Sequence, residues 1–196
     1  PGVYKVYLYA FGKGGVVDTA MQEVVVNGPY GTVETDKLKG CVPTEITLTA
    51  HATNAVNYTW DFGDGSVSQG DDTVSVYTYS DAGIYQPRVI MKDAAGCTAT
   101  FRVKDSIIID EMVAKMQPDL RLICDAGTVN FSAQINNFSH DSLKTPLQYH
   151  WNFGTGNAAD TLNTLTGRFR FDKPGKYPVT FSAVSAYGCT GSVKDT

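Results

Sequence analysis

Two carboxylates flank a glycine turn in the first half of the chain, at Asp61 and Asp64. Carboxylates at this spacing could bind Ca²⁺, with Asp71 and Asp72 of the next loop adding oxygens. The matching stretch later in the chain has Asn152, Thr155 and Asn157 instead. A metal that the fold required would hardly be dispensable in a sister unit. Turn chemistry is therefore our preferred interpretation, with calcium at Asp61 and Asp64 as the alternative, and we expect no cofactor.

The residue types that commonly catalyse reactions do not form a known catalytic motif in this sequence. His51, His140 and His150 do not recur at equivalent positions, and two of them, His51 and His150, lie in strand-like segments with exposed faces. The sequence contains no Gly-x-Ser-x-Gly elbow, phosphate loop or His-Glu-x-x-His pattern. Nothing suggests a cleft that would raise the pKa of one Asp for acid–base catalysis. We therefore expect no enzyme.

The four cysteines occupy matched positions in two units. Cys41 opens the first complete unit and Cys97 follows its Gly-Tyr strand, and Cys124 and Cys189 repeat this placement. The pattern predicts one disulfide in each unit, Cys41–Cys97 and Cys124–Cys189, and an extracytoplasmic location. Four reduced, buried thiols are the alternative. Zinc is less favoured, because no two cysteines stand close together and no His accompanies them at ligand spacing.

Three copies of one short phrase show that the chain is an array rather than one fold. The phrase begins at Pro1, Ala82 and Pro174 and contains a Gly and a Tyr at fixed places. Because the first copy stands at the start of the sequence, we expect residues 1–27 to be the last strands of a preceding domain. The expected complete domain is 28–110. Residues 111–196 form a second, divergent domain that lacks its final strand.

Apolar and polar residues alternate with period two throughout the chain, which predicts antiparallel strands that bury one face. Ile46, Leu48 and Ala50 point one way in the first unit, and Val129 and Phe131 do so in the second. Turn signals separate the strands at short intervals. We expect an all-β fold of tandem immunoglobulin-like sandwiches. Their joints are short and not rich in Gly or Ser, which favours a semi-rigid rod.

The net charge and the hydropathy of the chain argue against two kinds of partner, nucleic acids and the membrane interior. The formal net charge is −4, and Lys and Arg form no cluster that would track phosphates, so we expect no nucleic acid. No apolar stretch approaches the length of a membrane span, so this segment is not expected to insert into a membrane.

The segment from Trp60 to Ser66, Trp-Asp-Phe-Gly-Asp-Gly-Ser, closely resembles the signature of PKD domains, and Tyr77 to Tyr85 resembles its second half. A divergent copy runs from Trp151 to Asn157 and from Phe169 to Tyr177. The resemblance implies an immunoglobulin-like β-sandwich of extracellular proteins. The cysteine placement is similar to that of PKD arrays in large secreted, adhesin-like proteins of gliding Bacteroidota, which the type IX system exports.

The signature residues have physical roles that concern folding. Trp60 and Trp151 would supply a large buried ring at the centre of each domain. Gly63 and Gly65 permit positive φ in a tight turn, where Asp64 can bond its own backbone. Gly83 and Gly175 are the matched glycines that precede the Tyr strand.

Exposed aromatic residues offer a further kind of site. Tyr7 and Tyr9 face away from Val6 and Leu8 in the alternating pattern, so we expect them to form an exposed or interface stripe. Tyr rings can stack on sugars, which makes a carbohydrate-binding face conceivable. Packing is the simpler account for most other aromatics, because they stand at core positions.

A pattern of Asp, hydroxyl residue and aliphatic residue recurs more often than the roughly one match that ordinary composition gives by chance. It is similar to the O-glycosylation sequon of Bacteroidota export pathways. The alternative is that Asp-Ser or Asp-Thr simply suits loops before strands. The candidate hydroxyl residues are Thr19, Thr73, Ser106, Ser142 and Thr161.

The sequence thus predicts a non-catalytic segment of a giant extracellular repeat protein, at the cell surface or secreted. It would act as a rigid stalk or as part of a multi-chain appendage. The expected partners are adjacent PKD domains of the same chain, identical chains in a fibre or bundle, and surface glycans. The alternative function is a carbohydrate-binding accessory module of a secreted enzyme.

Overall fold

The computed structural model of the chain describes residues 2–144 and 146–196. Pro1, which begins the first repeated phrase and the expected leading segment, lies outside the described residues. The first eleven strands are β1 (Gly2–Phe11), β2 (Val17–Val26), β3 (Tyr30–Thr35), β4 (Lys39–Cys41), β5 (Thr44–Thr53), β6 (Asn57–Asp61), β7 (Val67–Gly70), β8 (Val74–Tyr79), β9 (Gly83–Tyr85), β10 (Arg88–Lys92) and β11 (Thr98–Arg102).

The remaining elements continue the strand pattern and include a short helix. They are β12 (Ile107–Asp110), β13 (Met112–Pro118), β14 (Gly127–Asn137), α1 (Phe138–Leu143), β15 (Gln148–Asn152), β16 (Thr161–Leu162), β17 (Thr166–Phe171), β18 (Val179–Val184) and β19 (Thr190–Asp195). The all-β prediction is confirmed.

The chain forms two compact units that are interleaved in sequence. Of the described residues, unit 1 comprises 2–36, Ile46–Tyr77 and Tyr85–Ser106, and unit 2 comprises Lys37–Glu45, Thr78–Ile84, 107–144 and 146–196. Unit 2 therefore includes the short strand β4, which in sequence stands far before the rest of that unit.

Unit 1 is built on two sheets that follow the predicted alternation. One has the order β11-β10-β6-β7 and the other β3-β5-β8. Inward-pointing residues are buried along β5, β6 and β10, among them Ile46, Leu48, Trp60 and Val89. Val56, which the pattern places in the same apolar row as Trp60, is exposed because it precedes the first residue of β6.

Unit 2 repeats this arrangement with sheets β13-β14-β17 and β16-β15-β18-β19, and it also holds most of the small sheet β4-β12-β9. Trp151 is fully buried at its centre, where its ring contacts Phe181 at 4.7 Å and Phe131 at 5.6 Å between centroids. The indole Nε1 donates to the carbonyl of Thr164 at 2.7 Å, so burying the ring leaves its polar atom satisfied.

The leading hairpin pairs β1 with β2 in a sheet of two strands. Its pairing matches that of the closing hairpins β10–β11 and β18–β19: Leu8 pairs with Ala20, Val89 with Phe101 and Phe181 with Val193, with the same spacing each time. Val89 and Phe181 are fully buried, whereas Leu8 is 69% exposed. The leading hairpin therefore pairs its strands as the closing hairpins of the two sandwiches do, but its apolar side chains are exposed to solvent.

Helical structure is minor in this fold. Among the residues that the structure describes, no helix has the length and apolar character needed to cross a membrane.

Replacing Trp151 tests whether this ring supports unit 2. We expect Trp151→Ala to lower the free energy of unfolding by about 4 kcal/mol, because it removes a fully buried ring and leaves a cavity. Urea unfolding followed by circular dichroism measures the change. The matched control Leu165→Ala, at an exposed position, should cost about 0.5 kcal/mol or less. Equal effects of the two variants would contradict the assignment of Trp151 to the core.

Candidate functional site

The disulfide of the chain joins Cys41 to Cys189, with an S–S distance of 2.05 Å and a Cα–Cα distance of 5.5 Å. The predicted pairs Cys41–Cys97 and Cys124–Cys189 are therefore wrong. Cys97 and Cys124 are free and exposed. In sequence, the bond connects the cysteine that opens the first of the two matched stretches to the cysteine that closes the second.

Strand pairing explains why Cys41 meets Cys189. Strand β4 runs parallel to β12, and this register sets Cys41 beside Asp110. The backbone N–H of Val42 donates to the carbonyl of Asp110 at 2.9 Å. The same carbonyl oxygen lies 3.9 Å from Sγ of Cys189, which is buried. Asp110 thus lies against both cysteines, and all of these residues belong to unit 2.

The bond closes a long loop, because its two cysteines are separated by 148 residues in sequence. In the chain-entropy account, a loop of this length removes about 5 kcal/mol of conformational freedom from the unfolded chain. While it is intact, the bond holds Cys41 and Cys189 together, so a force applied to the chain outside the loop cannot extend the residues between them.

A buried carboxylate organises the surroundings of this bond. Asp110, Asn137, Ser139 and Ser185, which we call the Asp110 cluster, are all buried polar residues of unit 2. Oδ1 of Asp110 accepts from the backbone N–H of Ser139 and from Nδ2 of Asn137, both at 2.9 Å. Oδ2 accepts from Oγ of Ser139 at 2.8 Å. A buried charge is tolerated when its oxygens are satisfied in this way.

The hydrogen bonds decide the ionisation of Asp110. Burial raises the pKa of this carboxyl, but the donors from Ser185, Ser139 and Asn137 favour the charged form and together hold the pKa below its ordinary value. The carboxylate is therefore ionised near neutral pH. Its charge is distributed over neutral donors.

The cluster also fixes the two loops of the second repeat that meet at Asp110. Asn137 caps the N-terminus of α1, accepting from the backbone N–H of His140 at 2.7 Å. Ser185 opens the turn that ends at Cys189, and its Oγ accepts from the N–H of Cys189 at 3.2 Å. Sequence reasoning missed this cluster, because Asp110, the loop with Asn137 and Ser139, and Ser185 are far apart in the chain. The only local signal was an acidic residue directly after the apolar run Ile107–Ile109.

Asp61 and Asp64 use their oxygens for protein donors. Oδ2 of Asp61 accepts from Arg88 at 2.9 Å and 2.7 Å, and its Oδ1 accepts from the N–H of Gly63. Asp64 accepts from the N–H of Ser66 at 2.8 Å and from the hydroxyl of Tyr77 at 2.5 Å. Burial raises the pKa of Asp64, but these donors outweigh it and leave the pKa lowered. These are the hydrogen bonds of a tight turn, and among the described residues no group of three or more His, Cys, Asp or Glu side chains is placed to hold a metal ion.

The other signature residues differ in backbone conformation and in burial. Gly63 and Gly65 have φ of +83° and +97°, a region that favours glycine. Trp60 is buried, as Trp151 is. Gly83 is buried at the start of β9, whereas Gly175 is exposed and lies outside the strands.

The stripe of Tyr7 and Tyr9 lies on β1. The two rings are half exposed and stack on each other with centroids 6.3 Å apart and planes 20° apart. Val6 and Leu8, on the other side of the strand, are also exposed. The structure therefore leaves both faces of this strand open.

Histidines and candidate glycosylation sites are scattered over the surface. His51 lies 3.5 Å from the carboxylate of Glu34, His150 is exposed on β15, and His140 lies in α1. Among the candidate hydroxyl residues, Thr161 is half-buried and the others are exposed, namely Thr19, Thr73, Ser106 and Ser142.

Tandem immunoglobulin-like β-sandwiches are the class that this architecture defines. The sequence matches the PKD domain family twice, over residues 32–109 and 113–196. The chain therefore belongs to the PKD domain family. We call these two ranges the first and second repeats, and the disulfide joins Cys41 of the first repeat to Cys189 of the second.

Solved structures with a similar fold are distant in sequence. A C-terminal fragment of intimin, solved with an intimin-binding domain of its translocated receptor, has a TM-score of 0.47 at 13% identity, covering 85% of this chain and 64% of that one. The titin I-band fragment I67–I69 has a TM-score of 0.43 at 10% identity, covering 87% and 65%. A carbohydrate-binding module of the β-sandwich superfamily has a TM-score of 0.40 at 12% identity, covering 86% and 95%.

The Asp110 cluster predicts that acid destabilises unit 2. Because the pKa of Asp110 is lowered in the folded state, its contribution is fully present above the ordinary value of 3.8 and is lost as the pH falls below it. Asp110→Ala should cost about 2–3 kcal/mol at neutral pH, since it strands buried donors. Asp110→Asn should remove the pH dependence that Asp110 contributes.

Urea unfolding between neutral and acid pH measures both effects. The exposed Asp105→Asn serves as the matched control and should unfold like the parent protein. An Asp110→Asn variant with an unchanged pH profile would show that the cluster does not hold the charged form.

Proposed function

We propose that the chain is a non-catalytic structural segment of a large extracellular repeat protein. It extends or spaces other parts of that protein, as a stalk or as part of a multi-chain surface appendage. Adjacent PKD domains are its immediate partners, and identical chains or surface glycans are further ones. The secreted adhesin-like arrays of gliding Bacteroidota, exported by the type IX system, are the setting that the sequence resemblance favours.

The observation that carries this proposal is the covalent bond between consecutive repeats. A disulfide inside one domain would leave the joint between repeats to non-covalent contacts alone. The Cys41–Cys189 bond instead ties the first repeat to the second and bypasses 148 residues of backbone. Load applied along the chain would pass through the bond, so the segment resists extension, which is the task of a stalk.

The surface and the bond agree with an extracytoplasmic setting. Disulfides persist in oxidising compartments and are rare in the cytosol. The exposed Asp-Ser and Asp-Thr sites are accessible for O-glycosylation, which would add solubility and protease resistance.

Single-molecule force spectroscopy tests the mechanical proposal. The chain is pulled by its two ends, with and without a reducing agent. Without reductant, we expect the released contour length to be shorter by about 500 Å, because the 148 residues within the loop cannot extend. The Cys41→Ser variant should extend fully under both conditions.

The matched control for this measurement is Cys97→Ser, which leaves the loop intact and should behave like the parent chain. Full extension of the unreduced parent chain would contradict the proposal, because the bond would then bear no load.

A carbohydrate-binding accessory module is the second candidate, and the exposed Tyr7–Tyr9 stack is the observation that favours it. Two aromatic faces on one side of a strand offer a platform on which sugar rings could stack. The equivalent positions of the two repeats hold Arg88 with Ile90 and Thr180 with Ser182. This platform is therefore particular to the leading hairpin.

Affinity electrophoresis in gels containing xylan or laminarin tests this candidate. Retardation of the parent chain that is lost in Tyr7→Ala/Tyr9→Ala, and kept in the control Val6→Ala/Leu8→Ala on the other side of β1, would support sugar binding. We expect no retardation of any variant if the chain is only a structural segment.

A further inference from the structure

The two free cysteines occupy the positions of the two bonded ones. The same backbone hydrogen bond closes the turn of each closing hairpin. In the first repeat the N–H of Asp93 donates to the carbonyl of Cys97 at 3.0 Å, and in the second the N–H of Ser185 donates to the carbonyl of Cys189 at 2.9 Å. The first residue of each turn also accepts through its side chain. The N–H of Cys97 donates to the carboxylate of Asp93 at 2.8 Å, and the N–H of Cys189 donates to the hydroxyl of Ser185. Cys97 is thus the first repeat's counterpart of Cys189.

Cys124 is in the same way the counterpart of Cys41. Asp36 accepts from the N–H of Thr47 at 2.8 Å, and Asp119 accepts from the N–H of Asn130 at 2.9 Å. Each contact extends the pairing of two antiparallel strands by one residue, β3 with β5 in the first repeat and β13 with β14 in the second. Cys41 and Cys124 follow these aspartates at the same distance in sequence.

The surroundings of Cys97 repeat those of Cys189 in a second respect. The backbone of Asp110, which leads into the second repeat, lies against Sγ of Cys189. Gly28, which leads into the first repeat, lies close to Cys97. A Cβ atom built on Gly28 would be 3.9 Å from Cβ of Cys97, which is ordinary van der Waals contact. Both turn cysteines therefore lie beside the segment that enters their own repeat.

We propose that Cys97 and Cys124 are the two half-sites of the same repeat-to-repeat disulfide that Cys41 and Cys189 form. Cys97 bonds a cysteine at the position of Cys41 in another repeat, and Cys124 bonds one at the position of Cys189. Their partner is a PKD repeat of the same kind, recognised by a thiol at a fixed place. The inference rests on the repeats, which the family match shows, and not on the mechanical role.

The proposed bonds would overlap along the array. Cys97 and Cys124 both lie within the loop that Cys41 and Cys189 close. A bond from either of them to another repeat would therefore begin inside one closed loop and end outside it. The result is a chain of interlocking loops rather than a row of separate ones.

The chemistry of the step balances with an ordinary oxidant. Two thiols lose two protons and two electrons and form one S–S bond. A disulfide such as oxidised glutathione takes up the two protons and two electrons and is reduced to two thiols. Cys97 and Cys124 are exposed and so accessible to that exchange.

A mixing experiment with the 196-residue chain tests the inference, because Cys97 of one copy and Cys124 of another reproduce the proposed pair. Cys124→Ser retains Cys97, and Cys97→Ser retains Cys124. Incubated together with oxidised glutathione, they should form a dimer through a Cys97–Cys124 bond. Non-reducing electrophoresis and mass spectrometry of unreduced peptides identify the link.

The expected result is about tenfold more dimer in the mixture than in either variant alone, because a disulfide needs closely matched Cα positions that only the complementary pair provides. The double variant Cys97→Ser/Cys124→Ser should stay monomeric. Peptides from every sample should contain the Cys41–Cys189 bond. Equal amounts of dimer in the mixture and in the single variants would overturn the inference, as would an absence of dimer or a Cys41–Cys97 bond within one chain.

The same peptide mapping on the protein released from native cells distinguishes the two sources of the partner repeat. If the bond runs to another repeat of the same polypeptide, the unreduced protein migrates as one chain. If it runs to a second chain, the unreduced protein migrates as multiples. Free thiols at Cys97 and Cys124 in the native protein would overturn the inference for both sources.

Discussion

The burial of Asp110 is the constraint on which the joint between the two repeats depends. A carboxylate removed from water must be given hydrogen-bond donors. The donors that reach Asp110 come from two loops of the second repeat, one with Asn137 and Ser139 and the other with Ser185. Satisfying this group therefore fixes the start of α1 and the turn that opens at Ser185. That turn ends at Cys189, while the backbone of Asp110 holds Val42 beside it. The disulfide joins two residues that these contacts hold in place.

A polar and a covalent restraint thus act at the same place, and they differ in what they resist. The Asp110 cluster depends on the charge of one carboxyl, so it weakens in acid. The disulfide does not depend on that charge, and it constrains the unfolded chain as well as the folded one. The disulfide therefore remains when acid weakens the Asp110 cluster.

The repeats are alike in their closing hairpins and differ in one loop, which joins β5 to β6 in the first repeat and β14 to β15 in the second. The hairpin register and the turn hydrogen bond recur three times along the chain. By contrast, Asn137 and Ser139 belong to a loop with a short helix in the second repeat, whereas the first repeat crosses the same region in a bend at Asn54. The common parts build the sandwich, and the variable parts make a particular joint.

The sequence by itself determined the strands, the turns and the number of repeats. These depend on local physics: alternation sets which side chains are buried, and Gly63 and Gly65 adopt a φ that other residues avoid. It also showed that Cys41 matches Cys124 and Cys97 matches Cys189. Only the tertiary structure decided which cysteines pair, because a bond within each repeat and a bond between repeats use the same matched positions. The choice depends on a Cα separation of 5.5 Å between residues 148 apart in sequence, and no local pattern encodes that distance.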